Sequence, residues 1–93
     1  MEPKNKPPDI TQRTFDFAVK IVRFCDDQSK LSTVSRRLSY QLLDSGTSIG
    51  ANVEEAQAGQ SRADFISKYA IALKETRETI YCLRLLDRYS LAA

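Results

Sequence analysis

The apolar residues of this chain recur every three or four positions over long stretches, which is the period of an α-helix. In the first such stretch, Phe15, Ala18, Val22 and Cys25 follow this spacing. The 93 residues include only three Gly and three Pro, and tight turns between short strands depend on these residue types. A few long helices therefore fit the sequence better than many strands, and the pattern predicts an all-α fold.

Three helices are predicted from this spacing and from candidate capping residues. The first predicted helix covers about 14–28, the second runs from Ser32 or Thr33 to about Gly59, and the third covers 62–88. Their candidate N-caps are Thr14, then Ser32 or Thr33, then Ser61. Three long helices in a chain of this size are expected to pack against one another as a helical bundle.

A single domain is expected, since 93 residues are too few to form two separate cores. Residues 1–12 are polar and contain two adjacent prolines, which oppose a helix. We predict that 1–12 form a disordered N-terminal lead-in and that 13–93 form the helical bundle domain.

A cytoplasmic location is expected from the absence of a secretory signal and from the cysteine content. Cys25 and Cys82 are the only thiols, and both are expected to be reduced and packed as small apolar groups. The longest uncharged stretch, residues 45–53, is far shorter than the roughly 20 residues that cross a membrane. No membrane partner is therefore expected.

Most catalytic and metal-binding constellations are excluded because the chain contains no His. Ser–His and Cys–His pairs cannot form, and a di-metal bundle site would lose half of its usual ligands. No phosphate-binding glycine loop and no Cys-x-x-Cys pair occurs either. The sequence predicts a protein without enzymatic activity, cofactor or metal site.

Small residues lie close together in the second predicted helix. Gly46 and Gly50 are four residues apart, with Ala51 on their flank. Each glycine inside a helix costs roughly 1 kcal/mol relative to alanine, so close packing is expected to compensate. The partner is either a neighbouring helix of the same chain or a helix of another subunit.

Basic residues fall within a narrow arc of the third predicted helix. These are Arg77, Arg84 and Arg88, with Tyr81 beside them. Guanidinium groups contact phosphates and tyrosine rings stack on bases, so this arc is a candidate nucleic-acid-binding face. The alternative is an ordinary solvated face, because the net charge of +2 is small for a dedicated nucleic-acid binder.

The segment 42–56, LLDSGTSIGANVEEA, resembles the signature of the four-helix-bundle proteins encoded in intervening sequences of 23S ribosomal RNA. Segments 62–66 and 70–79 resemble that family's third helix, so the resemblance covers about 14–88. It implies an up-down antiparallel bundle that assembles into a ring, often a pentamer, with no established enzymatic activity. It also implies kinship with retroelement accessory proteins, which are basic rings that bind nucleic acid and a reverse transcriptase.

The polar residues associated with this signature are Ser48, Asn52 and Glu55 on the second helix and Glu75 on the third. A pair of carboxylates is compatible with acid–base chemistry or a metal. The alternative is a set of hydrogen bonds or salt bridges that fixes the register of the helices.

The family continues into a fourth helix, whereas only residues 89–93 follow the third predicted helix here. Either the chain is a shortened member or a neighbouring subunit supplies the cover. Because the third helix is apolar over more than half of its circumference, an exposed groove and a homo-oligomer formed through helices 2 and 3 are expected.

The leading functional hypothesis is a non-enzymatic oligomeric scaffold or interaction module that takes a protein partner. The alternative is a nucleic-acid-binding accessory protein that uses the basic face of the third helix.

Overall fold

The computed structural model describes residues 9–59 and 61–92, and these residues form three helices. The helices are α1 (Ile10–Gln28), α2 (Thr33–Ala58) and α3 (Arg62–Ala92). Residues 29–32 connect α1 to α2, and α3 begins only four positions after the last residue of α2. The predicted all-α helical bundle is confirmed.

The start of α1 differs from the prediction. The Gln12 amide donates to Asp9 Oδ1 at 2.8 Å, so Asp9 caps the helix in place of Thr14. Thr14 lies inside the helix, and its hydroxyl donates to the Ile10 carbonyl at 2.9 Å. The predicted lead-in was therefore wrong for residues 10–12, which are helical, and its residues 1–8 lie outside the described part.

The other two helix starts agree with their predicted caps. The Ser35 amide donates to Ser32 Oγ at 3.0 Å, which selects Ser32 over Thr33. The Asp64 amide donates to Ser61 Oγ at 3.1 Å at the start of α3. The third helix then continues past residue 88 to Ala92. A serine side chain thus satisfies an amide in the first turn of α2 and of α3, as Asp9 does in α1.

The central helix is α2, which packs against both α1 and α3. The Cα atoms of α1 and α3 stay more than 8 Å apart throughout the described helices. Side chains of all three helices nevertheless meet in one core cluster around Leu42, which is fully buried. The other buried members of this cluster are Ile21, Cys25, Cys82 and Leu86.

Gly46 and Gly50 let α1 lie close against α2. A Cβ added at Gly46 would come within 2.8 Å of Ile21 Cγ2, and one at Gly50 within 3.2 Å of the Thr14 carbonyl oxygen. Both glycines are buried, whereas Ala51 is exposed on the other side of α2. The glycine face is covered by a helix of the same chain, which leaves no room there for another subunit.

Both cysteines are buried and unpaired. Burial raises the pKa of the Cys25 thiol to about 11, with a further contribution from Cys82. Burial also raises the pKa of Cys82.

None of the described helices combines the length and apolar character that a membrane crossing requires.

Candidate functional site

Ser48 and Asn52 bond along α2 itself. The Ser48 hydroxyl donates to the Asp44 carbonyl at 2.6 Å, and Asn52 Nδ2 donates to the Ser48 carbonyl at 2.8 Å. Each bond returns to the carbonyl four residues earlier, which is a common arrangement for polar side chains inside helices. These two side chains are half-buried.

Glu55 forms a salt bridge between α2 and α3. Its Oε2 lies 2.8 Å from Lys68 Nζ, near the connection that joins the two helices. A hydrogen bond from Lys68, together with its charge, lowers the pKa of Glu55, and the same contact raises the pKa of Lys68. Both groups are solvent-accessible, so the contact aligns the two helices more than it stabilises them.

Glu75 occupies a different environment from Glu55. Burial raises the pKa of Glu75, and the neighbouring carboxylates of Glu78 and Asp44 raise it further. Glu75 and Ser48 line one open pocket of about 560 Å³ between α2 and α3. The four signature residues therefore do not form one polar cluster, because Glu55 pairs with Lys68 and Asn52 bonds to its own helix.

The chemistry available in this pocket is limited. Its walls combine three carboxylates with the guanidinium of Arg77 and the phenol of Tyr81. Among the residues that the structure describes, no group of three or more His, Cys, Asp or Glu side chains is placed to hold a metal ion.

The buried polar contact between α2 and α3 was missed from the sequence. Thr79 Oγ1 lies within hydrogen-bond distance of two oxygens, Ser45 Oγ at 3.0 Å and the Glu75 carbonyl at 2.8 Å, and Thr79 is only 2% exposed. Ala72, Thr79 and Leu86 are spaced by seven and all are buried. That spacing is the signal that places Thr79 on the line facing α2.

The structure places the three arginines of the predicted basic arc and Tyr81 together on the exposed surface of α3. Arg77, Tyr81, Arg84 and Arg88 are all exposed. The last three line one shallow surface pocket of about 310 Å³. Asp87 lies within that pocket, and Glu78 shares the neighbouring pocket with Arg77. The face is basic but interrupted by carboxylates.

A groove lies between α1 and α3, and α2 lies beneath it. It encloses about 650 Å³. Phe17 of α1 and Ile80 and Leu83 of α3 contribute to its walls, and Ile49 of α2 contributes to its floor. Ile80 is 52% exposed, so three helices leave this apolar side chain half uncovered. We call this feature the α1–α3 groove.

Comparison with known proteins identifies the class of helical bundle to which this fold and its signature belong. The model of the 23S rRNA-intervening sequence protein family matches residues 6–93, and the chain belongs to this family. The resemblance inferred from the signature is confirmed.

A solved structure from Bacteroides thetaiotaomicron is similar to this chain. It is a protein of unknown function from the S23 ribosomal protein family, with 46% identity and a TM-score of 0.77. The match covers 87% of this chain and 74% of that protein. No match was found among curated proteins.

Proposed function

We propose that the protein is a non-enzymatic interaction module of the cytoplasm that acts by assembling with further copies of itself. The observation that supports this most directly is the apolar surface that the three helices leave uncovered. Large exposed apolar side chains are concentrated on α1 and α3, whereas only Val34 and Tyr40 represent them on α2. Uncovered surface of this kind marks interaction sites.

Helix α2, which was expected to take part in association, contributes little to this surface because it lies in the middle of the fold. Its apolar side chains, such as Leu42 and Val53, are buried between the two outer helices. The surface for association is therefore carried by the two outer helices.

Two outer flanks are suited to contacts between copies. On α1, Phe15 and Val22 are seven residues apart and exposed, and Val22 lines a pocket together with Tyr40 of α2. On α3, Ile71 and Leu85 are exposed on the side turned away from the α1–α3 groove. A contact that joins two different flanks is heterologous, and such contacts close into rings when the rotation permits. A cyclic homo-oligomer, with the pentamer of the family resemblance as its size, is part of this proposal.

Glutamine substitutions on the flanks test the assembly. We expect Val22→Gln and Ile71→Gln each to shift the sedimenting species toward the monomer, because each removes an apolar contact between copies. Leu31→Gln is the matched control, since Leu31 is 67% exposed but lies in the connection between α1 and α2. Unchanged sedimentation of both flank variants would rule out these surfaces.

A second candidate function, nucleic-acid binding, is supported by the clustering of three arginines and Tyr81 on the outward side of α3. Fluorescence anisotropy with single-stranded RNA should then show affinity that falls linearly with the logarithm of salt concentration. Arg84→Ala with Arg88→Ala should reduce that slope, whereas Arg36→Ala with Arg37→Ala on α2 should not. An absence of binding at low salt would contradict this candidate.

A further inference from the structure

In the part of the chain that the structure describes, one side of α2 is left open by both outer helices. Gly46 and Gly50 face α1, and Ser45 faces α3. We call the remaining side the α2 outer face and define it by six exposed residues, which are Arg36, Arg37, Tyr40, Ala51, Glu54 and Glu55. Ile49 lies on the floor of the α1–α3 groove, and the helical period places Ala51 on the opposite side of α2. A helix that covers the groove therefore leaves this face open.

Opposite charges occupy the two ends of the α2 outer face. Arg36 and Arg37 lie near the start of the helix, and Glu54 and Glu55 lie near its end. Arg36 and Glu54 are eighteen positions apart, which is about 27 Å of helix at ~1.5 Å per residue. Each end of the face is therefore complementary in charge to the other end of a second copy.

The charges that border this face leave the separation in place. Lys68 of α3 pairs with Glu55, but Glu54 keeps the acidic end negative. On the α1 side, Arg23 and Asp26 offset each other. The middle of the face is acidic, because Asp44 lines a pocket with two carboxylates and one guanidinium of α3, those of Glu75, Glu78 and Arg77.

An antiparallel pairing of two α2 helices brings the opposite ends together. In the register that sets Tyr40 of one copy against Ala51 of the other, an aromatic ring that is 60% exposed meets a small side chain. The same register sets the two arginines of each copy opposite the two glutamates of the other. Twofold symmetry forms each contact twice. A parallel pairing would set like charges against each other.

We propose that the α2 outer face binds the same face of a second copy in antiparallel orientation. This polar contact goes beyond the proposed assembly, which uses apolar flanks of the outer helices. One helix face buries less than the roughly 1,000 Å² of a stable interface, and salt screens exposed charges. The pairing is therefore populated above the micromolar range and at low salt. Asp44 limits its strength, because it lies within one turn of Asp44 in the other copy.

Charge reversal on the full-length chain tests the pairing. Arg36→Glu with Arg37→Glu makes the face acidic throughout, and Glu54→Lys with Glu55→Lys makes it basic throughout. Sedimentation at up to about 1 mM protein and low salt populates contacts of this size. Each variant alone should lose at least roughly tenfold in association constant, and an equimolar mixture of the two should restore it. Asp44→Asn should strengthen the association of the otherwise unchanged chain.

Arg13→Glu with Lys20→Glu is the matched control, since it changes the net charge as much as the acidic variant does. Both residues line the α1–α3 groove, so the α2 outer face stays intact. This control should associate as the wild type does. Mixed with the basic variant, it should not restore association to the wild-type level, which separates the pairing of faces from a general attraction of net charge. Circular dichroism checks that every variant keeps its helix content.

Cross-linking reports the orientation of the two helices. Thr33 and Ala58 are the first and last residues of α2, and both are exposed. With a bismaleimide that spans the interaxial distance of about 8–10 Å, a mixture of Thr33→Cys and Ala58→Cys should cross-link, and neither variant should cross-link to itself. The wild type is the control, because Cys25 and Cys82 are buried.

Three outcomes would overturn the proposal. They are a wild type that gains no association between micromolar and millimolar concentration at low salt, a mixture of the acidic and basic variants that stays apart, and self-cross-linking of the Ala58→Cys variant. The proposed assembly through the outer helices fails separately, when Val22→Gln and Ile71→Gln leave the micromolar oligomer intact.

Discussion

At Gly50, any side chain would meet main chain instead of a movable group. The nearest atoms to an added Cβ belong to Thr14, and the closest is its carbonyl oxygen at 3.2 Å. A carbonyl inside a helix can move only if the helix moves with it. The glycine therefore sets how near α1 lies to α2, which explains why a residue with poor helix propensity is found inside a long helix.

A valine at Gly50 should separate the two helices. We expect Gly50→Val to lower the free energy of unfolding by about 1–3 kcal/mol, the usual cost of overpacking. Ala51→Val introduces the same side chain one residue later on the exposed side and should cost only about 0.5 kcal/mol, from helix propensity. Urea denaturation measures both, and equal losses would contradict the role given to Gly50.

Glu75 is a carboxylate whose charge opposes folding. Its pKa is raised by burial and by Glu78 and Asp44, with a smaller opposing contribution from Lys74. A carboxyl pKa that is higher in the folded state means that the charged form destabilises the fold. That cost is complete above the raised pKa and disappears below the ordinary value of 4.5.

Glu75→Gln should therefore stabilise the protein at pH 7. The gain over wild type should shrink as the pH falls and vanish below pH 4.5, the ordinary glutamate pKa. Denaturation across a pH series measures this difference, with Glu54→Gln on the exposed side of α2 as a control. A variant that is less stable than wild type at pH 7 would contradict this account.

At the scale of the helices, local signals were predicted well and long-range partners poorly. Ser32 and Ser61 were identified as caps because capping depends on residues a few positions apart. The start of α1 was misplaced because Asp9 and Thr14 are both competent caps, and the sequence does not show that the Thr14 hydroxyl bonds to its own helix. Which of two such residues caps the helix depends on how the helix packs, and the local sequence does not show this.

The candidate site was predictable only in part for a similar reason. The helical period accounts for the exposure of Glu55, which lies on the side of α2 away from the buried Leu42. The spacing could not show that Lys68 would pair with Glu55 or that Thr79 would reach Ser45, because both contacts depend on the register between helices. A helical period gives the direction of a side chain but not its partner.

The Thr79–Ser45 hydrogen bond should couple α2 to α3. We expect Thr79→Val to cost about 1 kcal/mol, since it removes a buried donor while keeping the shape of the side chain. Adding Ser45→Ala should cost less than it does alone, because the partner of Ser45 is already absent. Strict additivity in this double-mutant cycle would show that the bond contributes nothing to the pairing of the helices.

At the scale of the whole molecule, the fold has one central helix and two outer helices that do not touch each other's backbones. This arrangement buries the apolar face of α2 well but leaves α1 and α3 each covered on one side only. The membership in the 23S rRNA-intervening sequence protein family rests on residues 6–93, which include all three helices. The uncovered sides of the outer helices are where we place association.

Native mass spectrometry of the full chain at micromolar concentration tests the central claim most directly. The account predicts a single dominant species whose mass is an integer multiple of the 10.5 kDa chain, with the pentamer as the expected multiple. A species that remains at 10.5 kDa throughout the micromolar range would contradict it.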